Sequence, residues 1–223
     1  MSFSFRSELA RGLEKLELDV PDTAYEPLEF YFVELKKWNR KVNIIAKATA
    51  DSEIVEKHFL DSLTLVPFLQ ADGAHLLDIG TGGGFPGLIC KAALGGSFGL
   101  TLVEPRLKRV SFLRHIVRSL RLDNVDIRAN RLEEEPDLTQ ISFSHITCRA
   151  VTEIGPFVEM VSGFSATGAS LICMKGPKWS EELNAAKDIV EQSGFKVGSI
   201  VEHVLPQSGA KRTLLFLLSN RKS

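Results

Sequence analysis

The sequence predicts an α/β fold, a mostly parallel sheet with helices on both faces, preceded by a helical segment. Three observations predict it. From about residue 73 onward, short apolar runs alternate with segments of helical spacing. The stretch "LLDIGTGGGFPGLICKAAL" (76–94) sets five glycines in eight positions between an apolar run and a helical pattern. Near the end, "FKVGSIVEHVLP" and "RTLLFLLS" read as strands joined only by "QSGAK", which suits an antiparallel pair at a sheet edge.

The elements follow in order. Before residue 73 the apolar residues keep helical spacing, with Leu28, Tyr31, Phe32, Leu35 and Trp38 on one face and Ile54, Val55, Phe59 and Leu63 on another. Residues 1–72 are therefore expected to form a helical cap and 73–223 the sheet domain. Strands are expected at 76–79, 100–103, 125–128, 144–148, 170–174, 197–204 and 213–218, with a helix in each of the first five intervals. Right-handed crossovers then make a seven-stranded, mostly parallel sheet with one reversed strand. Ligands in such sheets sit beyond the carboxyl ends of the strands, where strand order reverses.

Composition sets bounds on function. The 223 residues, 44% of them hydrophobic, are enough for a core of ordinary size. Basic and acidic residues nearly balance, 27 against 28, which argues against a tail-driven nucleic-acid binder but leaves room for a local basic patch. No apolar run approaches membrane-span length, and charges stand in "MSFSFRSELARGLEKLELDV" where a signal peptide would be apolar, so a soluble, cytoplasmic protein is expected. Cys90, Cys148 and Cys173 are widely spaced among apolar neighbours with no histidine at ligand spacing; they read as reduced core residues, and no metal site is expected.

The glycine turn admits more than one ligand. Gly82, Gly84 and Gly87 satisfy G-x-G-x-x-G, the spacing that rests a pyrophosphate on a helix N-terminus, and glycines also serve simply to shape a tight turn. Asp78, two residues before Gly80, makes the frame D-x-G-x-G-x-G. A carboxylate there accepts from a cationic or hydroxyl-rich ligand and repels a pyrophosphate. Glu104 in "TLVEP" ends the second strand, where a ribose diol would meet an acceptor. After the third strand, "ANRLEEE" brings Asn130 to Glu133 to the same edge, with the amides of Leu132 and Glu133 in reach of a base. A seven-stranded sheet ending in a hairpin, with no second substrate domain, is similar to the class I S-adenosylmethionine-dependent methyltransferase (Rossmann-like) fold. A nicotinamide-dependent oxidoreductase, a nucleotide sensor, and a methyltransferase for small molecules or proteins are the other readings.

More narrowly, the sequence resembles the RsmG (GidB) family of ribosomal RNA methyltransferases. The residues that carry the resemblance are "WNRKVNI" (38–44), "HFLDSL" (58–63), "LLDIGTGGGFPG" (76–87), "KRVSFLRH" (108–115), "NRLEE" (130–134), "CRAV" (148–151) and "MKG" (174–176), in the family's order over nearly the whole chain. "NIIAK" and "VEP" depart from the commoner family forms without removing a group that the chemistry needs. The resemblance implies transfer of a methyl group from S-adenosyl-L-methionine to N7 of a guanine in the 530 loop of 16S rRNA, by a monomer acting on that RNA or on the 30S subunit. It also implies that Gly80, Phe85, Leu132, Glu133 and Arg149 line the cofactor pocket, beside Asp78, Gly82 and Glu104 from the reading above. N7 carries a free lone pair, so proximity alone would suffice and no catalytic general base is expected.

Basic residues around the crevice are the expected RNA contacts. In "PRLKRVSFLRHIVRSLRL" an apolar stripe of Leu107, Val110, Leu113, Ile116, Val117 and Leu120 leaves six cations and no acid elsewhere on the helix. Of these, Lys108 and Arg109 lie nearest the functional edge; Lys41 in "KKWNRK", Arg131 and Lys175 complete the set of candidates. Arg149 at the end of the fourth strand suits either the methionine carboxylate or an RNA phosphate. Trp38 reads as core rather than as a base-stacking platform, and His58 and Asp61 as polar anchors between cap and sheet.

Overall fold

Apolar alternation in the second two-thirds of the chain produces seven strands in the computed structural model, which describes residues 3–150 and 152–220. Val151, the last residue of the "CRAV" motif, lies outside them. The strands are β1 (His75–Ile79), β2 (Gly99–Val103), β3 (Val125–Arg128), β4 (His145–Arg149), β5 (Ser170–Lys175), β6 (Phe195–Val204) and β7 (Lys211–Ser219). They form one sheet in the order β3-β2-β1-β4-β5-β7-β6. β1 pairs in parallel with both β2 and β4, whereas β7 runs antiparallel to β5 and β6. Strand order thus reverses between β1 and β4, which opens the crevice at their carboxyl ends.

Before the sheet come α1 (Phe5–Lys15), whose first turn is capped by the Ser4 hydroxyl, and α2 (Tyr25–Asn39), which buries Leu28, Tyr31, Phe32 and Leu35. A further helical segment runs through α3 (Asp51–Ile54), a π-helical stretch (Val55–Leu60) and α4 (Asp61–Leu63). Widened turns of this kind concentrate at functional sites, and this one carries His58. α5 (Gly87–Leu94) and α6 (Leu107–Ser119) follow β1 and β2. α7 (Ile154–Met160), α8 (Trp179–Ala185) and α9 (Lys187–Gln192) pack on the opposite face.

Between β3 and β4 the expected helix is not formed. That interval holds only two short 3-10 turns, Leu132–Glu134 and Pro136–Gln140. Pro136 lacks the N–H that a continuing helix would need, and Glu133, Glu134 and Asp137 leave no apolar stripe to bury.

The cap and the sheet share one core. Phe5, Leu28, Tyr31, Phe59, Leu63, Leu88, Phe112 and Phe216 belong to the same buried cluster, with Tyr31 set edge-on to Phe59 and Phe112 at ring separations of 5.9 and 5.7 Å. Trp38 packs against Phe112 and His115, in keeping with a core role. Polar ties reinforce the contact: Glu56, buried, accepts the amides of Gln207 and Ser208 in the β6–β7 turn, and Glu34 meets His115 of α6 at 2.6 Å. The three cysteines are buried and unbridged, and burial pushes their thiols up.

The register of α6 needs one correction. Leu107, expected in the apolar stripe, is 69% exposed, whereas Phe112 takes a core place beside Val110, Leu113 and Ile116. Leu107 is the first residue of the helix, before the stripe turns under the cap. Phe112→Ala is therefore expected to lower the unfolding free energy by about 3–5 kcal/mol. Leu107→Ala should stay within about 0.5 kcal/mol of the parent. Denaturant melts of both variants check this, and equal effects would contradict it.

Candidate functional site

The chain from Gly80 to Gly87 must leave β1, cross its end and enter α5 within one turn. Gly80, Gly82 and Gly84 take φ of 68°, 60° and 88°, a region that L side chains rarely adopt. The crowding comes from the protein itself. A Cβ at Gly83 would collide with Ile44, and one at Gly84 with the Tyr31 hydroxyl; both partners belong to the cap. Tyr31 Oη donates to Gly83 O at 2.6 Å, and burial raises its phenol pKa, so it stays a donor.

Two carboxylates hold the turn from the sheet side. Asp78 Oδ2 accepts the Thr81 hydroxyl at 2.7 Å and the Gly87 amide, at the N-terminus of α5, at 2.8 Å. Asp78 is fully buried beneath the turn and does not line the cleft above it, and its Oδ1 has no hydrogen-bond partner among the described residues. Glu104, at the end of β2, accepts the Gly82 amide on one oxygen and the Arg106 amide on the other, both at 2.9 Å.

Above the turn lies a cleft of about 490 Å³, bounded by Ile44, Ile45, His58, the Gly80–Gly83 backbone, Phe85, Glu104, Arg109 and Arg149. The cap loop reaches it through Asn39, whose Oδ1 accepts the amides of Ile44 and Ile45. This accounts for the asparagine of "WNRKVNI". Arg109 fastens that loop across the cleft, donating to Asn43 O at 3.2 Å with Nη1 3.6 Å from Glu104. His58 stacks on Phe85 at 4.7 Å, and burial, helped by Arg149, lowers its pKa to about 3. It is therefore a neutral wall of the cleft at physiological pH.

Arg149 stands at the junction of this cleft with a second cavity of about 480 Å³ over the ends of β4 and β5. Its guanidinium is held by the cap, through Lys57 O, the Ser62 hydroxyl and Asp61, whose Oδ2 is 3.3 Å from Nε. Lys175 lies in the second cavity, bonded to Thr152 O and paired with Glu182 at 2.8 Å. Leu132 is buried in the core on the far face of the sheet, and Glu133 is exposed; neither lines the first cleft. Lys41, Lys108 and Arg131 are exposed. Sequence reasoning missed Tyr31, Asn39 and Ile44 as parts of the site; their signal was helical or loop patterning, which carries no mark of what the loop touches.

The residues fit a nucleoside ligand with a cationic group: apolar walls, a glycine backbone without side chains, and a carboxylate at the β2 edge. Among the described residues no cluster of histidine, cysteine and carboxylates suits a metal ion.

Burial raises the Asp78 pKa to about 7 against the pull of its Thr81 and Gly87 hydrogen bonds. An acid whose pKa rises on folding holds its proton better in the folded state. Its contribution is then full below about pH 4 and is lost as pH rises toward 7. Asp78→Asn removes this dependence, so stability of the variant relative to the parent is expected to increase between pH 5 and pH 8. Thermal melts across that range test it, and a flat difference would contradict the raised pKa.

Comparison with known proteins gives the site its context. The family model described as rRNA small subunit methyltransferase G (GidB) matches residues 24–212. A protein of Desulfotalea psychrophila named ribosomal RNA small subunit methyltransferase G is 51% identical over 97% of this chain and 100% of its own length. One of the same name from Geobacter sulfurreducens is 35% identical over 93% of this chain and 94% of its own. Among solved structures, magnesium protoporphyrin IX methyltransferase from Synechocystis PCC 6803 with bound SAM aligns at a TM-score of 0.58 and 13% identity, over 85% of this chain and 97% of that one. Aeropyrum pernix fibrillarin with natively bound S-adenosyl-L-methionine aligns at 0.51 and 11% identity, over 66% and 68%. These two show the fold alone: the class I S-adenosylmethionine-dependent methyltransferase fold. Cleft, sheet order and sequence agree, and the chain belongs to the family of rRNA small subunit methyltransferases G.

Proposed function

We propose that the protein transfers the methyl group of S-adenosyl-L-methionine to N7 of one guanine in the 530 loop of 16S rRNA. The observation that carries this reading is the first cleft, where a side-chain-free turn and the Glu104 carboxylate meet at the topological switch point, opening beside Arg149 into a second cavity of nucleotide size. Support for the substrate comes from the family and from the names of its close relatives. In this reading residues 1–72 act as the cap and 73–223 as the methyltransferase domain, in a cytoplasmic monomer working on 16S rRNA or the 30S subunit. Among the described residues, no helix is long and apolar enough to cross a membrane.

The cofactor supplies a methyl group on sulfonium, which needs no acid to leave. Glu104 accepts the ribose hydroxyls, Gly80 and Gly82 admit the methionine portion against bare backbone, and Phe85 with Ile44 covers it from the cap side. For the amides of Leu132 and Glu133 to read the base, it must extend beyond the cleft's lining to the β3 edge. Asp78 acts from below, fixing the turn. Guanine N7 presents an unprotonated lone pair, so no side chain has to remove a proton, and neutral His58 matches that requirement. Catalysis then rests on holding the two reactants at near-attack distance. Lys41, Lys108 and Arg131 offer exposed charge to RNA phosphates, Arg109 stands at the first cavity and Lys175, paired with Glu182, in the second, and salt should weaken binding accordingly.

The test is methyl transfer from radiolabelled S-adenosylmethionine to 30S subunits lacking the modification, beside free 16S rRNA. Label is expected at N7 of a single guanine with the unaltered protein. In Gly80→Asp, where a side chain must adopt a φ of 68° and enter the cleft, transfer should fall by about 100-fold. Binding of S-adenosylmethionine without any labelled RNA would overturn the substrate assignment.

A further inference from the structure

The second cavity has a charge arrangement that meets the methyl-donor cleft only at Arg149. Asp61 of α4, only 3% exposed, faces two arginines from different strands: Arg149 Nε at 3.3 Å and Arg212 Nε at 3.4 Å. β4 and β7 flank β5, so the two guanidiniums meet across the end of that strand. His203 of β6 completes the group, its Nε2 3.9 Å from Asp61 Oδ1. Neither that nitrogen nor Oδ1 has a hydrogen-bond partner among the described residues. One carboxylate between two guanidiniums leaves an excess positive charge on the inner wall. A structural ion pair would need a single arginine. The nearby Lys175 is neutralised by Glu182, and Glu153, exposed at the mouth, is where solvent screens it most.

Arg212 lines the second cavity and not the first, whereas Arg149 lines both. Among the described residues, the Arg212 side chain makes one hydrogen bond beyond its contact with Asp61, from Nη1 to Lys211 O. Donors of a planar fork are thus left for a ligand that enters over β5, and a tetrahedral anion with two free oxygens matches a fork best.

We infer that Asp61 is a positioning residue for RNA: from the cap, it aligns Arg212, beside Arg149, so that the Arg212 fork grips one backbone phosphodiester of the target nucleotide in the second cavity. The inference rests on the RNA substrate proposed above. It gives the cap a part in substrate binding through a residue that touches neither reactant.

The test measures KM for the RNA that the unaltered protein labels, KM for S-adenosylmethionine, and the salt dependence of RNA binding. It uses Arg212→Gln, Arg212→Lys and Asp61→Asn. Arg212→Gln, a change at the partly exposed end of the cluster, is expected to raise the RNA KM about tenfold. Its donor KM should remain within about twofold, and the salt slope should flatten by about 0.7–0.9, the share of one phosphate. Arg212→Lys should restore the slope but not the full affinity, since the charge returns without the fork. Asp61→Asn should raise the RNA KM similarly. An unchanged RNA KM and slope in Arg212→Gln, or a rise in donor KM instead, would overturn the inference while leaving the substrate assignment standing. Absence of labelled RNA with the unaltered protein would overturn that assignment first, and this inference with it.

Discussion

A single hydrogen bond, from the Tyr31 hydroxyl of the cap to the Gly83 carbonyl, marks the constraint on which the rest of the site depends. The glycine turn is pressed between two bodies. Below it, Asp78 ties the end of β1 to the first amide of α5; beside it, Glu104 ties β2 to Gly82. Above it, Tyr31 and Ile44 occupy the space that side chains at Gly84 and Gly83 would need. The cap is therefore part of the site's construction, and the bare backbone of the turn answers to its packing as well as to a ligand.

The same economy governs the charges. His58, which in isolation suggests acid–base chemistry, is kept neutral by burial and by the nearby Arg149 charge. Glu104 spends its oxygens on two backbone amides and stands near Arg109, and Arg149 is engaged by the cap on several sides. These groups are oriented by the protein's own contacts. Transfer of a methyl group to an unprotonated nitrogen, as proposed above, asks for orientation and not for removal of a proton.

Much of this was legible in the sequence because it is written in periodicity and in glycine. The seven strands, the reversed last strand and the turn after β1 follow from local apolar patterns and from the shortness of "QSGAK". Glu104 was legible from its place at a strand end, and His58 and Asp61 were readable as anchors: one stacks on Phe85, the other faces arginines of β4 and β7. What escaped depends on contacts distant in sequence. Tyr31 and Gly83 are 52 residues apart, and nothing in a helical stripe tells a tyrosine that fills the core from one that also caps a carbonyl. The helix expected after β3 failed because acidic residues and Pro136 outweigh a pattern too short to carry it. Lys91, buried with its ammonium on Phe98 O, gave no sign in the sequence, since a lysine in a helix ordinarily reads as solvated.

The central claim, that the cap holds the glycine turn in its binding conformation, is tested most directly by titrating S-adenosylmethionine into Tyr31→Phe by calorimetry. The substitution removes one buried hydrogen bond and almost no volume. The account predicts a folded protein whose affinity for S-adenosylmethionine is roughly fivefold weaker, the worth of one such bond. Unchanged affinity in the folded variant would contradict it and would reduce the cap to a cover over a turn that the sheet alone shapes.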